Sequence, residues 1–530
     1  MSETGKNASV AKSALLMSVA TLGSRATGLV RTWAMAFALG NTLVTSAYQV
    51  ANNMPNVIYE LVAGGLLAAA FIPVYLGQKE KRGTEEGNLF ACNILNLAII
   101  VLGVLAILAT VFAPAVIATQ TFTVGDTAEV SQMATEFFRI FAIQIVFYGI
   151  GGVITGILNA NRVFFLPSLA PALNNLVCII SFFLYIPLYA IDGQLALIVL
   201  GVGTSLGVAV QFFIQIPALA KIGFKYVARI NLHDPALIEA VKIALPTLLY
   251  VVGTMVSFSC RNAFSLQAGT NGPSTLTYAW TWYQLPYGVI AVSVSRALFT
   301  EMAEAVAKDD WDSMRAHTGT GISTTLLLVI PLAGLISALS VPIMSLFQAG
   351  AFSADDVAYV AGILSLWVVS LPMYSIVMYL YNVFASIRHF TVFALVSTVM
   401  VAVQCTLYGL LCNQDVLGLA GVPIADLVYY GACCVILLII LHRYIGSFGL
   451  KQIIWNVVRV LVATAIGFGI TMLLNSVIPG GEGMLGGLIH LVICGIVGLV
   501  VIFGLCWAFR IPEMSAVTSL GRRLIGKIRR

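Results

Sequence analysis

Polar positions are sparse along this chain and arrive in short bursts between apolar runs long enough to cross a bilayer, about 20 residues each. Fourteen such runs are read, at 10–39, 43–76, 88–114, 130–160, 164–190, 194–221, 236–268, 273–303, 318–348, 354–386, 389–412, 416–443, 450–478 and 485–511. Several exceed what a bilayer needs, which predicts tilt or extension past the headgroups. The pattern predicts an all-α polytopic membrane protein of about fourteen transmembrane helices. The first two runs are the least uniform. One holds Ser24, Arg25, Gly28 and Arg31, and the next holds Asn52, Asn53, Pro55, Asn56, Tyr59 and Glu60, with Gly64-Gly65 beyond. The third run is read as plain apolar filler.

Composition agrees: 60% of the 530 residues are hydrophobic and 9% charged, against roughly a quarter charged in soluble domains. The placement of charge sets the topology. Inner segments carry the lysines and arginines of 79–82, 221–229, 308–315, 443–451 and 522–530. Outer loops carry Asp126, Asp192, Asp355, Asp356, Asp415 and Glu482 and no Lys or Arg. This is the positive-inside pattern, so both termini are expected in the cytoplasm. The net charge of +5 is then a topology signal and argues for no nucleic-acid partner. The basic tail, 512–530, is expected against anionic inner-leaflet lipid, and no removable signal peptide is read at the start. The nine cysteines lack metal-type spacing and read as packing thiols. Asp309-Asp310-Trp311-Asp312 reads as a solvated inner loop. No nucleophile elbow, phosphate-cradling loop or metal cluster is visible, so neither an enzyme nor a metal or cofactor site is expected.

The second half repeats the first at a near-constant offset. Arg31 matches Arg261, Pro55 matches Pro286, Asp126 matches Asp355 and Arg162 matches Arg388, with separations of 230, 231, 229 and 226 residues. Six helices between matching points preserve orientation, which predicts two parallel six-helix lobes with a site between them. The expected division is an N-lobe over 1–221, a cytoplasmic linker over 222–235, a C-lobe over 236–443, two further helices over 444–511 and the tail.

Ionisable side chains at lipid depth normally face a bundle interior or a wet cavity, and arginine suits planar, two-pronged binding of phosphate. Arg25 and Arg31, six residues and about 120° apart on a helix, can both border a cationic chamber. Each can instead be paired structurally, Glu60 being the counter-charge favoured here over an ion carrier. Ser24, Asn53 and Arg261 complete the binding candidates. Pro55, Pro286 and Gly28 are candidates for bending, and Asp426 for ion coupling or for a hydrogen-bonded packing role. Tyr278, Trp280, Trp282, Tyr283 and Tyr287 read as an interfacial aromatic belt or a sugar platform.

The order Ser24-Arg25-x-x-Gly28-x-x-Arg31, Phe37-x-x-Gly40, Pro55-Asn56 and Phe71-Ile72-Pro73 resembles the opening of the MurJ (MviN) lipid II flippase family. Arg229-Ile230-Asn231-x-His233-Asp234 and Leu346-Phe347-Gln348-x-Gly350-x-Phe352 extend the resemblance through the tenth helix. The resemblance implies a fold of the multidrug/oligosaccharidyl-lipid/polysaccharide exporter superfamily, with a cationic cavity and a tail groove near the last two helices. It implies flipping of a polyprenyl-pyrophosphate-linked glycan, lipid II, across the bacterial cytoplasmic membrane by alternating access. Arg25 and Arg31 correspond to the two family arginines that contact the pyrophosphate region. The family's helix-2 arginine falls at Tyr59, its helix-8 arginine at Thr281 and its helix-2 acid at Gly64. Either Arg261 and Arg296 take over part of that role or the cargo differs. The expected partners are the lipid-linked glycan, membrane lipids and cell-wall synthesis proteins, with H+, Na+ or the membrane potential as the driving term. The rivals are an O-antigen-type polysaccharide exporter or a drug exporter of the same superfamily, and a non-transporting scaffold for cell-wall synthesis.

Overall fold

The computed structural model describes residues 3–64, 71–125, 128–478 and 483–514. Gly65, Asp126, Glu482 and the tail from 515 onward lie outside these residues. All regular structure among the described residues is helical. Contacts divide the chain into two compact units, 1–274 and 275–530.

The first unit holds α1 (Glu3–Leu39), α2 (Leu43–Tyr59), α3 (Phe71–Arg82), α4 (Thr84–Val111), α5 (Ala113–Thr121) and α6 (Glu129–Phe141). It continues with α7 (Gln144–Ala160), α8 (Phe165–Tyr189), α9 (Gly193–Phe213), α10 (Ile216–Lys221) and α11 (Pro235–Ala268). Helix α12 (Gly272–Pro286) crosses the boundary. The second unit holds α13 (Val292–Ala307), α14 (Trp311–Ala338), α15 (Ser340–Ser345), α16 (Ala354–Trp367) and α17 (Leu371–Ser386). It closes with α18 (Phe390–Leu411), α19 (Gly421–Ile445), α20 (Leu450–Val477) and α21 (Met484–Ala508).

Among the described residues nine helices are long and apolar enough to cross a membrane, ten if α6 and α7, bent by 45°, form one span. The expected count of fourteen is not reached on length and composition. The runs left out are 10–39, 43–76, 236–268 and 273–303. They are helical over their described residues but broken or more polar. Arg25 and Arg31 sit in α1, and Glu239, Lys242 and Arg261 in α11. Helix α2 opens into a π turn at Glu60–Gly64, and α12 and α13 are parted by another at Tyr287–Ala291. Such turns cluster at functional sites.

Loop acids end helices as well as marking a side of the membrane. Asp192 caps α9, Asp234 caps α11 and Ser353 with Asp356 forms a capping box on α16, each satisfying otherwise unpaired amides. In the expected solvated loop, Asp310 caps α14 through the Ser313 amide and hydroxyl, which hold its carboxyl below the usual range. Two residues with left-handed backbone, Arg162 (φ 61°) and Arg388 (φ 60°), stand at the ends of α7 and α17. Positive φ is uncommon outside glycine; Asp309 and Arg510 share it, also just past helix ends.

In the first unit α8 lies between α1 and α9, α2 against α6, α4 between α3 and α7, and α11 against α5. Close approach is built in at Gly151, where an added Cβ would sit 1.8 Å from the Phe212 ring.

Helix α4 is not the plain filler expected. Asn93 and Asn96 are both buried in it, and they clamp the non-helical strap 222–234. Asn93 donates to the Asn231 carbonyl at 2.8 Å and accepts from its amide at 2.7 Å. Asn96 donates to the Val227 and Arg229 carbonyls, each at 3.0 Å, and accepts from the Tyr226 hydroxyl. A buried asparagine without partners would be costly; here the strap's backbone supplies them. Replacing both by leucine removes five hydrogen bonds, worth about 3 kcal/mol net. Trypsin is expected to cut the double variant at Lys225 or Arg229 while sparing the parent chain; equal resistance of the two would contradict the clamp.

Candidate binding site at Arg31

Arg31 leaves α1 toward the interior of the first unit and is half-buried. Its Nη2 donates to the Tyr48 hydroxyl at 3.4 Å. Tyr48 is fully buried on α2, and its hydroxyl lies 3.0 Å from Thr204 Oγ1 on α9. Thr204 gives its own proton to the Leu200 carbonyl, so Tyr48 donates to Thr204 and accepts from Arg31. Phe137, Phe141 and Phe182 meet the Tyr48 ring edge-on with centroids 5.7 Å away, which fixes the phenol. Among the described residues no ion pair involves Arg31. A guanidinium has five N–H donors, so most remain for a ligand. Charge, fork geometry and a rigid mount suit an oxyanion with two adjacent acceptors.

The other candidates divide. Arg25 is exposed. Ser24 acts through its carbonyl, which accepts from Asn175 Nδ2 on α8 at 3.3 Å and from Thr27 Oγ1. Gly28 faces the same Asn175; a Cβ there would stand at 3.6 Å, ordinary contact, and α1 runs unbroken through it. Asn53 turns its amide back to the Gln49 carbonyl of its own helix. Glu60 is exposed and accepts from Asn56 at 3.0 Å. Among the described residues no ion pair joins Glu60 to Arg25 or Arg31, so the favoured counter-charge role finds no support, the acid being taken up one turn away on its own helix. Tyr59 stands 5.9 Å from Tyr148, centroid to centroid, and Tyr148 lies within electrostatic range of both Arg31 and Glu60. Pro55 is buried in α2 five residues before the π turn, and Pro286 immediately precedes the other.

Arg261 lies over the Phe258 ring at 5.1 Å. Its helix is tied to α5, where Gln120 donates to Ser259 and accepts from Asn262. In the second unit Asp426 is buried on α19 and accepts from Trp367 Nε1 and Gln404 Nε2, each at 2.7 Å, and from the Tyr408 hydroxyl. The aromatic group of α12 is neither a belt nor an open platform. Tyr278 and Tyr283 are fully buried; Trp280 and Tyr283 stack on each other and meet Trp367 and Tyr374 at tilted or edge-on angles, with centroids 5.0–6.0 Å apart. Spacing along one helix does not tell an inward stripe from an outward one. Tyr48, Thr204, Asn93 and Asn96 escaped the sequence reading because each acts on a partner in another element.

A family model described as lipid II flippase MurJ matches residues 35–491. A probable lipid II flippase MurJ of Bdellovibrio bacteriovorus is 26% identical over 513 residues, 96% of each chain. Its counterpart in Buchnera aphidicola subsp. Schizaphis graminum is 26% identical over 378 residues, covering 71% of this chain and 73% of its own. A solved lipid II flippase MurJ in an inward closed conformation superposes with a TM-score of 0.75 at 24% identity, over 92% of this chain and 98% of that one. An inward-facing multidrug resistance MATE transporter of the MOP superfamily gives 0.60 at 16% identity, over 82% and 94%.

Proposed function

The chain belongs to the MurJ lipid II flippase family, and from that premise we propose that it carries lipid II from the inner to the outer leaflet of the bacterial cytoplasmic membrane by alternating access. The observation that carries the reading is Arg31, a guanidinium on α1 turned into the first unit and mounted on Tyr48 and Thr204 with most of its donors unspent. It would hold the diphosphate, with Arg25 nearer the water and Arg261 as a further cation. Ser24, Asn53 and Glu60 would act as supports of the wall through the bonds described above. Residues 1–221 and 236–443 would be the working lobes, and 444–511 would supply the groove for the polyprenyl tail. The membrane potential, or H+ or Na+ exchanged near Asp426, would reset the cycle.

Tyr59 and Thr281, standing where the family has arginines, favour a second reading in which the cargo is another lipid-linked glycan. One assay separates the two. Labelled lipid II is scored for outer-leaflet access in cells depleted of their own flippase, with and without this chain. Access restored by the chain supports lipid II as cargo. No restoration by a chain that inserts normally overturns it in favour of the other glycan.

A further inference from the structure

The strap 222–234 is more than a connector. Its backbone is pinned to α4 at Val227, Arg229 and Asn231 through Asn93, Asn96 and the Cys92 thiol, so the side chains between these points are presented in fixed order. Those side chains are of two kinds. Tyr226, Ile230 and Leu232 are 58%, 55% and 64% exposed, and Val227 is open as well. Lys225, Arg229 and His233 are interleaved with them and Lys221 ends α10 just before, all exposed. No acid occurs from 221 to 233; the first is Asp234, which is committed to the cap of α11.

The depth of the strap follows from where α4 holds it. Asn93 and Asn96 lie nine and twelve residues from the start of α4, about 14–18 Å along the helix at its normal rise. Below them the helix reads Thr84, Glu85, Glu86 and Asn88. Above them, from Leu97 to Ala109, no polar side chain occurs, and Ile99, Ile100 and Val101 are exposed as lipid-facing residues are. The strap therefore crosses α4 at the step from polar to apolar. In a helix entering a bilayer from the basic side, that step is the inner water–lipid boundary.

We propose that this strap is an interfacial segment seated on anionic lipid of the inner leaflet. Its apolar side chains enter the headgroup layer, and Lys221, Lys225 and Arg229 meet lipid phosphates. Apolar and basic side chains without an acid among them are the composition that binds such a surface. Water would leave Val227, Ile230 and Leu232 uncovered, and a soluble acidic partner would have to reach past headgroups to touch Ile230. The cytoplasmic link between α10 and α11 thus becomes a fixed float at the membrane surface.

The test uses the full chain in proteoliposomes, with Ile230→Cys, Leu232→Cys or, as a water-facing reference, Asp312→Cys carrying a maleimide fluorophore. Asp312 is 94% exposed. The native cysteines are buried or half-buried, and the unsubstituted chain gives the labelling background. Quenching by spin-labelled lipid is compared with quenching by iodide on both sides of the bilayer. In phosphatidylglycerol vesicles, labels at 230 and 232 are expected to show at least twofold more lipid quenching and twofold less iodide quenching than the label at 312. The contrast should shrink in pure phosphatidylcholine and with Lys225→Glu/Arg229→Glu. Iodide access equal to that at 312 in phosphatidylglycerol would overturn the proposal in favour of a water-facing surface for a soluble partner. Lipid quenching indifferent to both phosphatidylglycerol and charge reversal would overturn the recognition of anionic lipid.

Discussion

Charge reversal at Arg31 is expected to abolish rescue of a flippase-depleted strain while leaving the chain in the membrane at parental levels. Hydrogen bonds from a charged group are worth roughly 1.5–3 kcal/mol each, and a guanidinium places two on a diphosphate. Losing them and adding a like charge costs on the order of 4 kcal/mol, a thousandfold in affinity. Arg31→Glu should not unfold the first unit, because the position is half-buried and Tyr48 keeps its bond to Thr204 without the arginine. Tyr48→Phe separates mount from charge: the guanidinium stays but loses its acceptor, so a partial defect of about tenfold is expected, roughly 1.4 kcal/mol. Arg25→Glu is expected to be milder than Arg31→Glu, since Arg25 is exposed and free to turn. Colony formation on depletion, read beside the membrane level by immunoblot, decides. Full rescue by both reversed variants would remove the diphosphate assignment.

Arg31 was legible because charge inside an apolar run is itself a signal. The residue that aims it was not. Tyr48 lies 17 positions on, in another helix, and its role depends on Thr204, 156 positions further. Bending near Pro55 and Pro286 was legible locally, because a proline removes a helix hydrogen bond wherever it stands, whereas the caps at Asp192 and Asp234 emerge only from the structure. Chemistry at a distance was not legible either. Asn231 in the strap answers Asn93, 138 residues earlier, and no periodicity announces a side chain that bonds to backbone elsewhere. For the same reason α4 looked uniform, its two asparagines diluted in an apolar run. The hydrogen bond that Glu60 does make is local: Asn56, four residues back, lies on the same helix face.

Removal of the Asp426 side chain is expected to destabilise the second unit strongly. Its carboxylate is acceptor-only and meets three donors, the Trp367 indole, the Gln404 amide and the Tyr408 hydroxyl. Asp426→Ala leaves three buried donors without their acceptor at about 1–3 kcal/mol each. Even with partial relaxation the loss is on the order of 4 kcal/mol, a large share of the margin by which a folded domain is stable. The expected result is a marked fall in the yield of folded protein and in the midpoint of thermal unfolding. Asp426→Asn retains one oxygen but turns an NH2 toward a donor, so it should fall between parent and alanine. That variant also separates packing from coupling. In the packing role its transport, corrected for folded protein, keeps the parent's dependence on proton or sodium gradient. A chain that folds at parental levels yet transports without regard to either gradient would make Asp426 the coupling group instead. Three donors converging on one carboxylate favour the first outcome, because a proton or cation entering there must displace bonds that hold α18 and α19 together.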